Sequence, residues 1–174
     1  MTKSIIQNTT KETNLYNKIL LLSRNKLFYT KFYLDDTFQN RIILIFIHIS
    51  FLFININKLK DSEKYKPFHQ NMFDLIFKKI EFNMREIGYG DVAVNKNMKF
   101  LVKTFYNILL NCENFKKKSL SYKINFFNKH LKFKDVKKLL NNTGIIAYFE
   151  KYETFCFDLN PNSVLKGDLK FNYK

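Results

Sequence analysis

A run of apolar side chains in the second quarter of the sequence constrains the fold more than any other feature. From Ile42 to Ile54 nearly every residue is apolar, and His48 and Ser50 are the polar interruptions. These 13 residues are fewer than the about 20 that a membrane-spanning helix needs. A helix that is apolar on every side is typical of the centre of a bundle, where other helices surround it. The sequence therefore predicts a buried central helix, with His48 as a hydrogen-bonded core residue and not a ligand.

The amino-acid composition favours a single domain built from helices. The chain has 174 residues, of which 46% are hydrophobic, and this is enough for one sizeable core. It has only four glycines and two prolines, whereas a turn-rich β fold needs a turn about every 8–12 residues. We predict an all-α, single-domain bundle of about six helices with a short extended C-terminal tail. Residues 14–174 form this domain, and residues 1–13 form a flexible N-terminus.

Helical periodicity and capping residues divide the chain into segments. Residues 14–33 form the first predicted helix, and Asp36 or Thr37 is placed to cap the central helix. Pro67 is placed to open a third helix, whose apolar residues recur at helical spacing. The residues of this stripe are Phe73, Ile76, Phe77, Ile80, Met84 and Ile87. A second stripe within residues 98–112 predicts the next helix.

The sequence Gly-Tyr-Gly-Asp directly follows the third helix. Gly88 comes after the last residue of the apolar stripe, where a residue in the left-handed conformation commonly ends a helix. Gly90 permits a second unusual backbone angle or a close approach, and Asp91 or Asn95 can cap the next helix. A phosphate-binding loop would need a preceding strand, a third glycine and a Lys-Ser/Thr pair, which this segment lacks. We predict a tight structural corner at Gly88 and Gly90 between two packed helices.

The chain is strongly basic, with a formal net charge of +15. Such a charge suggests an anionic partner, such as nucleic acid, a ribosome or a membrane surface. Only three of the 30 basic residues are Arg, so part of the Lys excess is consistent with A/T-rich codon usage. Within residues 113–138 lysines alternate with aromatic residues, a pattern found in nucleic-acid-binding segments and, more commonly, in solvated helix faces. The candidate basic docking surface consists of Lys116, Lys117, Lys118, Lys123 and Lys129.

The sequence contains no recognisable catalytic or metal-binding motif. Metalloprotease, paired-cysteine and nucleophile-elbow patterns are absent, and the histidines are far apart. Cys112 and Cys156 are isolated and predict buried, reduced thiols. An enzyme with a helical active site could use the charge cluster of Arg85, Glu86 and Asp91, but a salt bridge that braces the corner explains this cluster equally well. We therefore predict a binding protein with no catalytic residue, metal, cofactor or small-molecule substrate.

Several short motifs together resemble the ubiquinol–cytochrome c chaperone family. In chain order they are Asp36-Thr37, Arg41, Ile47-His48, Phe73-Asp74, Arg85–Val94, Phe105-Tyr106 and Leu165-x-Gly167-x-Leu169-x-Phe171. The resemblance covers residues 14–171, and its most specific element is the Arg-Glu-Ile-Gly-Tyr-Gly-Asp segment. Asn40 and Asn107 stand where the family is expected to carry Gly, and Asn is the next residue most tolerant of positive φ. Tyr89 stands where a small aliphatic residue is usual.

The resemblance implies an all-α assembly factor and not an enzyme. Mitochondrial relatives help newly made cytochrome b into the ubiquinol–cytochrome c reductase complex, form a complex with a small partner protein and associate with the ribosome near its exit. For this chain the resemblance implies cytochrome b as the client, a small partner protein, and docking at a ribosome or an anionic membrane surface. The candidate client- or partner-binding residues are Asp36, Arg41, Arg85, Glu86, Tyr89 and Asp91.

The N-terminal sequence bears on the expected location. Residues 1–14 contain no apolar segment of the kind that a secretory signal needs. We expect a bacterial cytoplasmic protein that is peripheral to the inner face of the cytoplasmic membrane. The alternative function is a basic helical nucleic-acid- or ribosome-binding module without a cytochrome client.

Overall fold

The computed structural model describes residues 10–58, 62–134 and 143–173, and most of these residues are helical. The helices are α1 (Lys11–Ser23), α2 (Leu27–Thr30), α3 (Phe38–Asn57), α4 (Lys66–Glu86), α5 (Asp91–Asn111), α6 (Leu120–His130), α7 (Gly144–Asp158) and α8 (Pro161–Leu165). Six of them are longer than ten residues, and no strand occurs in the described ranges. The predicted all-α bundle of about six helices is therefore confirmed. Most of the N-terminal segment predicted to be flexible lies outside the described residues.

Helix α3 lies at the centre of the protein, as predicted. Every residue from Ile42 to Ile56 is buried, and α1, α5 and α7 pack on this helix. It begins after Thr37, whose hydroxyl accepts a hydrogen bond from the backbone N–H of Asn40 at 3.2 Å. At 20 residues it is longer than the apolar run that predicted it, and it is the one helix in the described ranges that could cross a membrane by length and composition alone. Its burial by the surrounding helices identifies it as the core helix.

His48 is a core residue with both ring nitrogens paired, also as predicted. Nδ1 lies 2.6 Å from the carbonyl oxygen of Leu44, and Nε2 lies 2.9 Å from the hydroxyl of Tyr148. Since a carbonyl can only accept, Nδ1 carries the proton and the Tyr148 hydroxyl donates to Nε2. The rings of Phe28 and Phe149 pack edge-on against the imidazole. Complete burial lowers the pKa of His48 to about 4, so the ring is neutral at neutral pH.

The predicted first helix is interrupted in the structure. Helix α1 ends at Ser23, and the short helix α2 begins at Leu27. Between them the side chain of Asn25 accepts a hydrogen bond from the backbone N–H of Leu27 at 3.0 Å. This bond offers the backbone a turn in place of a continuing helix. The prediction of one helix over residues 14–33 is therefore wrong.

Asn40 joins the start of α3 to the chain that follows α6. Its buried side-chain amide donates to the carbonyl oxygens of Asp35 at 2.7 Å and Lys132 at 2.8 Å. Its amide oxygen accepts a hydrogen bond from the backbone N–H of Lys132 at 2.9 Å. Asn40 and Asn107 both lie within helices and neither has a positive φ. The expectation that Asn replaces Gly at left-handed positions is therefore wrong, and at Asn40 the side chain is needed for its hydrogen bonds.

Gly167 follows the short helix α8 and is required by its surroundings. Its φ is 75°, and an added Cβ would lie 2.8 Å from both the Cβ of Asn14 and the carbonyl oxygen of Lys11. Glycine therefore permits the close approach of this turn to α1. The residues after it form an irregular tail that returns to the core, where the ring of Phe171 packs 5.5 Å from that of Tyr148.

Acidification is expected to destabilise the protein through His48. Its pKa is about 4 in the folded state, below the ordinary value of 6.5, so the folded state binds fewer protons than the unfolded state. The contribution to stability is complete above pH 6.5 and is lost as the pH falls towards 4. The free energy of unfolding should fall by about 3 kcal/mol over this window, which chemical denaturation at a series of pH values measures.

The matched control for this prediction is His48→Gln. This variant has no titrating group at the buried position, so its free energy of unfolding should depend less steeply on pH. His130 and His69 also have lowered pKa values. They contribute equally to the pH dependence of unfolding in the parent and in the variant, so the difference between the two proteins reports His48. Equal pH dependence of the parent and the variant would contradict the assignment to His48.

Candidate functional site

Two of the predicted partner-binding residues form an ion pair at the start of α3. The carboxylate of Asp36 accepts hydrogen bonds from Nε of Arg41 at 2.7 Å and from a terminal guanidinium nitrogen at 2.9 Å. Both side chains are about half exposed. The hydrogen bond from Arg41 lowers the pKa of Asp36. Thr37 caps the helix, so of the two predicted caps Asp36 is free to make this two-point contact on the surface.

The corner between α4 and α5 is built around Gly88. The N–H of Gly88 donates to the carbonyl of Arg85 at 3.1 Å, and the N–H of Tyr89 donates to the carbonyl of Met84 at 3.0 Å. Gly88 has a φ of 95°. These two bonds with a left-handed residue form the Schellman motif, which satisfies the last carbonyls of a helix. The prediction that Gly88 ends the third helix in the left-handed conformation is confirmed.

Gly90 has a different role from the predicted one. Its φ is −73°, which any residue adopts, and nothing lies within 4 Å of an added Cβ. The prediction of a second unusual angle or a close approach at Gly90 is therefore wrong. Gly90 occupies the N-cap position of α5 and supplies no side-chain hydrogen bond. Asp91 and Asn95, the predicted caps, both lie inside the helix.

Arg85 connects the end of α4 to the start of α5. Its guanidinium donates to the carboxylate of Glu81 at 2.9 Å and 3.2 Å and forms a second ion pair with Asp91. Hydrogen bonds to these two carboxylates raise the pKa of Arg85. Glu86 is exposed beside them and forms no ion pair within the described residues. The ion pair between Arg85 and Asp91 therefore braces the corner, which is one of the two interpretations left open by the sequence.

Apolar side chains are exposed around this corner. Ile87, assigned to the buried stripe from its spacing, is 57% exposed because it lies beyond the end of α4. A groove of about 550 Å³ between α1 and α4 opens beside the corner and is lined by Phe82 and Arg85. We define the corner surface by its four exposed apolar and three charged residues. They are Phe82, Ile87, Tyr89, Val92, Arg85, Glu86 and Asp91.

The predicted basic docking surface does not include Lys123. This lysine is only 5% exposed, and its ammonium group lies 2.6 Å from the carboxylate of Glu150 and donates to the carbonyl of Lys116 at 3.0 Å. Glu153, also buried, accepts a hydrogen bond from the backbone N–H of Lys116 at 2.7 Å. Burial raises the pKa of Glu153. Lys123 therefore fixes the loop at Lys116 against α7, and the prediction that it docks a partner is wrong.

Three aromatic residues of this lysine-rich segment belong to the core. Phe115, Phe126 and Phe127 are almost completely buried and pack edge-on against one another. Bases of a nucleic acid stack on exposed rings, and these three rings have no exposed face to offer. Three aromatic residues in the lysine and aromatic pattern of residues 113–134 therefore serve the core and not a nucleic-acid surface.

The remaining basic candidates lie on different parts of the chain. Lys116, Lys117 and Lys118 are exposed at a short 3-10 turn, Phe115–Lys117. Lys129 lies on α6, where its ammonium group donates to the side-chain oxygen of Asn107 on α5 at 3.2 Å. No hydrogen bond or ion pair in the described ranges joins the Asp36–Arg41 pair to the corner surface. The predicted partner-binding residues and the predicted basic residues therefore lie on several separate surfaces.

The described residues contain no group of three His, Cys, Asp or Glu side chains that could hold a metal ion. Cys112 and Cys156 are buried and free, as predicted. Burial raises the pKa of both thiols, so neither is present as a reactive thiolate at neutral pH.

Comparison with known proteins shows the family to which this sequence is similar. The family model for the ubiquinol-cytochrome C chaperone matches residues 30–123, which is more than half of the chain. This interval contains every predicted client- or partner-binding residue. The fold is similar to the crystal structure of the Cbp3 homolog from Brucella abortus, with a TM-score of 0.75 and 19% sequence identity over 94% of this chain and 89% of that chain. No individually curated protein matches the sequence.

Replacing Gly88 tests whether the corner depends on its left-handed backbone. Gly88→Val should lower the free energy of unfolding by more than about 1 kcal/mol, because a β-branched residue is strained at positive φ. Open space surrounds this position, so the loss would come from the backbone and not from a clash. Thermal and chemical unfolding measure it.

Gly90→Ser is the matched control, two residues away. Serine adopts the observed φ without strain and supplies the missing N-cap hydroxyl, so stability should be unchanged or higher. Equal losses in the two variants would show that the corner does not depend on the conformation of Gly88.

Proposed function

The chain belongs to the ubiquinol–cytochrome c chaperone family, and we propose that it binds newly made cytochrome b and assists the assembly of ubiquinol–cytochrome c reductase. The proposal assigns a binding and not a catalytic role. We further propose that the protein works at the cytoplasmic side of the membrane into which cytochrome b inserts, with a small partner protein as a further subunit. Family membership supports the client, and the exposed corner surface supports the mode of binding.

The exposed apolar side chains of the corner surface carry the proposal. Val92 is 84% exposed, and Phe82 and Ile87 are each 57% exposed. Contiguous apolar groups on a protein surface commonly mark an interaction site. A client that is a membrane protein presents apolar segments before it inserts, and burying these segments against the corner surface would remove both from water. The adjoining groove beside Phe82 extends this surface along α4.

The charged residues of the corner surface position it for binding. The two carboxylates around Arg85 satisfy its guanidinium, so Arg85 holds the corner and is not an unpaired contact for the client. The Schellman bonds at Gly88 fix the backbone that carries Ile87 and Tyr89. Side chains on a fixed backbone lose less conformational entropy on binding. Glu86 is the exposed charge that is left to contact a client directly.

A double substitution at the corner tests the proposal. Ile87→Ser with Tyr89→Ser removes exposed apolar surface without disturbing the buried core, so thermal unfolding should be nearly unchanged. Capture of cytochrome b by the tagged protein from solubilised membranes should fall by about tenfold or more. Leu21→Ser is the matched control, because Leu21 on α1 is 68% exposed and lies outside the corner surface.

The same variants can be examined in cells. A deletion strain should show lower haem b absorbance and lower ubiquinol–cytochrome c reductase activity than the parent. The Leu21→Ser gene should restore both, and the double corner variant should not. Normal haem b and reductase activity in the deletion strain would contradict the chaperone function. Full restoration by the corner variant would contradict only the proposed surface.

Docking at the ribosome is a second, separate function that the exposed lysine cluster supports. Lys116, Lys117 and Lys118 are consecutive and exposed, so together they present a compact positive charge to phosphate groups. The buried aromatic side of the neighbouring helix argues against readout of nucleic-acid bases. If the protein docks at the ribosome, it therefore binds the phosphate groups by charge and does not read the base sequence.

Replacing these three lysines by Gln tests ribosome docking. Stability should change by less than about 0.5 kcal/mol, since the substitutions are on the surface. Sedimentation with ribosomes should weaken and become less dependent on salt, because fewer counterions are released on binding. If the variant sediments as the parent does at low and moderate salt, the lysine cluster is merely a solvated face.

A further inference from the structure

The outward face of α5 combines lysines with exposed apolar side chains. Successive residues of an α-helix are turned by about 100°, so side chains at a spacing of three or four residues line up along the axis. Five exposed residues of α5 follow this spacing and form a line that extends away from the corner. We call them the α5 stripe, and they are Lys96, Lys99, Lys103, Tyr106 and Leu110. Phe100, 57% exposed, lies beside the line.

The α5 stripe carries positive charge without acidic compensation. Asp91 is the one acidic residue of α5, and it lies at the first position of the helix, where it pairs with Arg85. Lys96, Lys99 and Lys103 form no ion pair within the described residues. Their charges therefore add along the helix.

A groove beside the stripe is lined by hydrogen-bond donors. It has a volume of about 460 Å³ and lies between α5, α3 and the end of α6. Lys103 and Thr104 line it from α5, and Lys129 lines it from α6, where Asn107 holds its ammonium group. No acidic residue lines the groove. The two lysines and the threonine could together bind an anionic headgroup, while Phe100 lies on the same wall.

We propose that the α5 stripe and this groove form a docking surface for the anionic phospholipids of a membrane. The lysines attract the negative surface of the bilayer, and the exposed apolar side chains enter its interface. Lys side chains can extend to the headgroups while their apolar stems lie along the membrane surface. The docking holds α5 flat on the membrane, with the corner surface at one end of the same helix.

The combination of lysines and exposed apolar side chains on one face favours a membrane over other polyanions as the partner. RNA would bind the lysines and would gain little from Leu110, an aliphatic side chain that is 69% exposed. The surface of an acidic protein would pair with the lysines but would offer no apolar layer to the neighbouring apolar side chains. A bilayer with anionic headgroups supplies both negative charge and an apolar interior, and side chains on one face of a helix can reach both. Charge and apolar exposure on one face therefore favour the membrane.

Vesicle flotation with the full chain tests the charge component. The parent should float with vesicles that contain phosphatidylglycerol and phosphatidylcholine, and much less with phosphatidylcholine alone. Lys96→Gln, Lys99→Gln and Lys103→Gln together should weaken binding to the anionic vesicles by about a hundredfold, at roughly fivefold for each lysine. The matched control, which removes the same charge, is the triple Gln variant of Lys11, Lys18 and Lys26, which are exposed outside the α5 stripe, and its flotation should stay close to that of the parent.

Insertion of the apolar side chains needs its own measurement. Leu110→Cys places an exposed thiol on the stripe, and an environment-sensitive dye attached there should shift to the blue with anionic vesicles. The native cysteines are buried and should not react with the dye in the folded protein. Leu21→Cys is the control, since Leu21 on α1 is exposed to the same degree, and its dye should show no shift.

The outcomes separate the proposal from its rivals and from the client-binding function. No flotation of the parent, or equal losses in the two triple variants, would overturn the α5 surface. Loss of flotation in the stripe variant without a dye shift at position 110 would show binding by charge alone and would overturn the entry of the apolar side chains into the bilayer interface. The assay contains no cytochrome b, so a failed corner variant leaves this result unchanged. Melting curves of all variants confirm that each is folded.

Discussion

The burial of α3 is the constraint on which the rest of the structure depends. From Ile42 to Ile56 this helix has no side that meets water, so the other helices must cover it on every side. Its one histidine must then find partners inside the core, since an unpaired buried polar group would cost stability. The hydroxyl of Tyr148 supplies the partner and so fixes how α7 packs on α3. The C-terminal tail follows from this arrangement, because Phe171 covers the ring of Tyr148.

The burial of aromatic side chains in the core also determines which apolar side chains are exposed on the surface. Phe115, Phe126 and Phe127 are taken into the core, which removes three rings of the basic segment from the surface. Most of the large apolar side chains that are exposed lie instead at the corner and on the outward face of α5. At the corner they are carried by a backbone that the Schellman bonds and the Arg85 ion pairs hold in place. A chaperone that grips apolar segments gains from such a surface, because little of it has to be ordered on binding.

The large positive charge serves more than one purpose in this fold. Lys123 is buried and pairs with Glu150, where it fixes the loop at Lys116. Lys129 is held against α5 by Asn107. The lysines of the α5 stripe and of the turn at residues 116–118 are exposed and remain available to anionic partners. Net charge alone therefore overstates the basic surface, and the position of each lysine decides whether its charge reaches a partner.

The sequence by itself determined the features that depend on neighbouring residues. The all-α class, the buried central helix, the pairing of His48 and the left-handed Gly88 all follow from apolar spacing and from backbone chemistry. The tertiary structure decided what depends on distant residues. Helical spacing alone could not show that Lys123 is buried by Glu150 and the Lys116 carbonyl, or that Ile87 is exposed beyond the end of α4. Nor could it show that Asn40 serves as a bridge to Lys132, which is 92 residues away in the chain. Burial and pairing between distant segments are set by how the helices pack, and a local pattern carries no information about that packing.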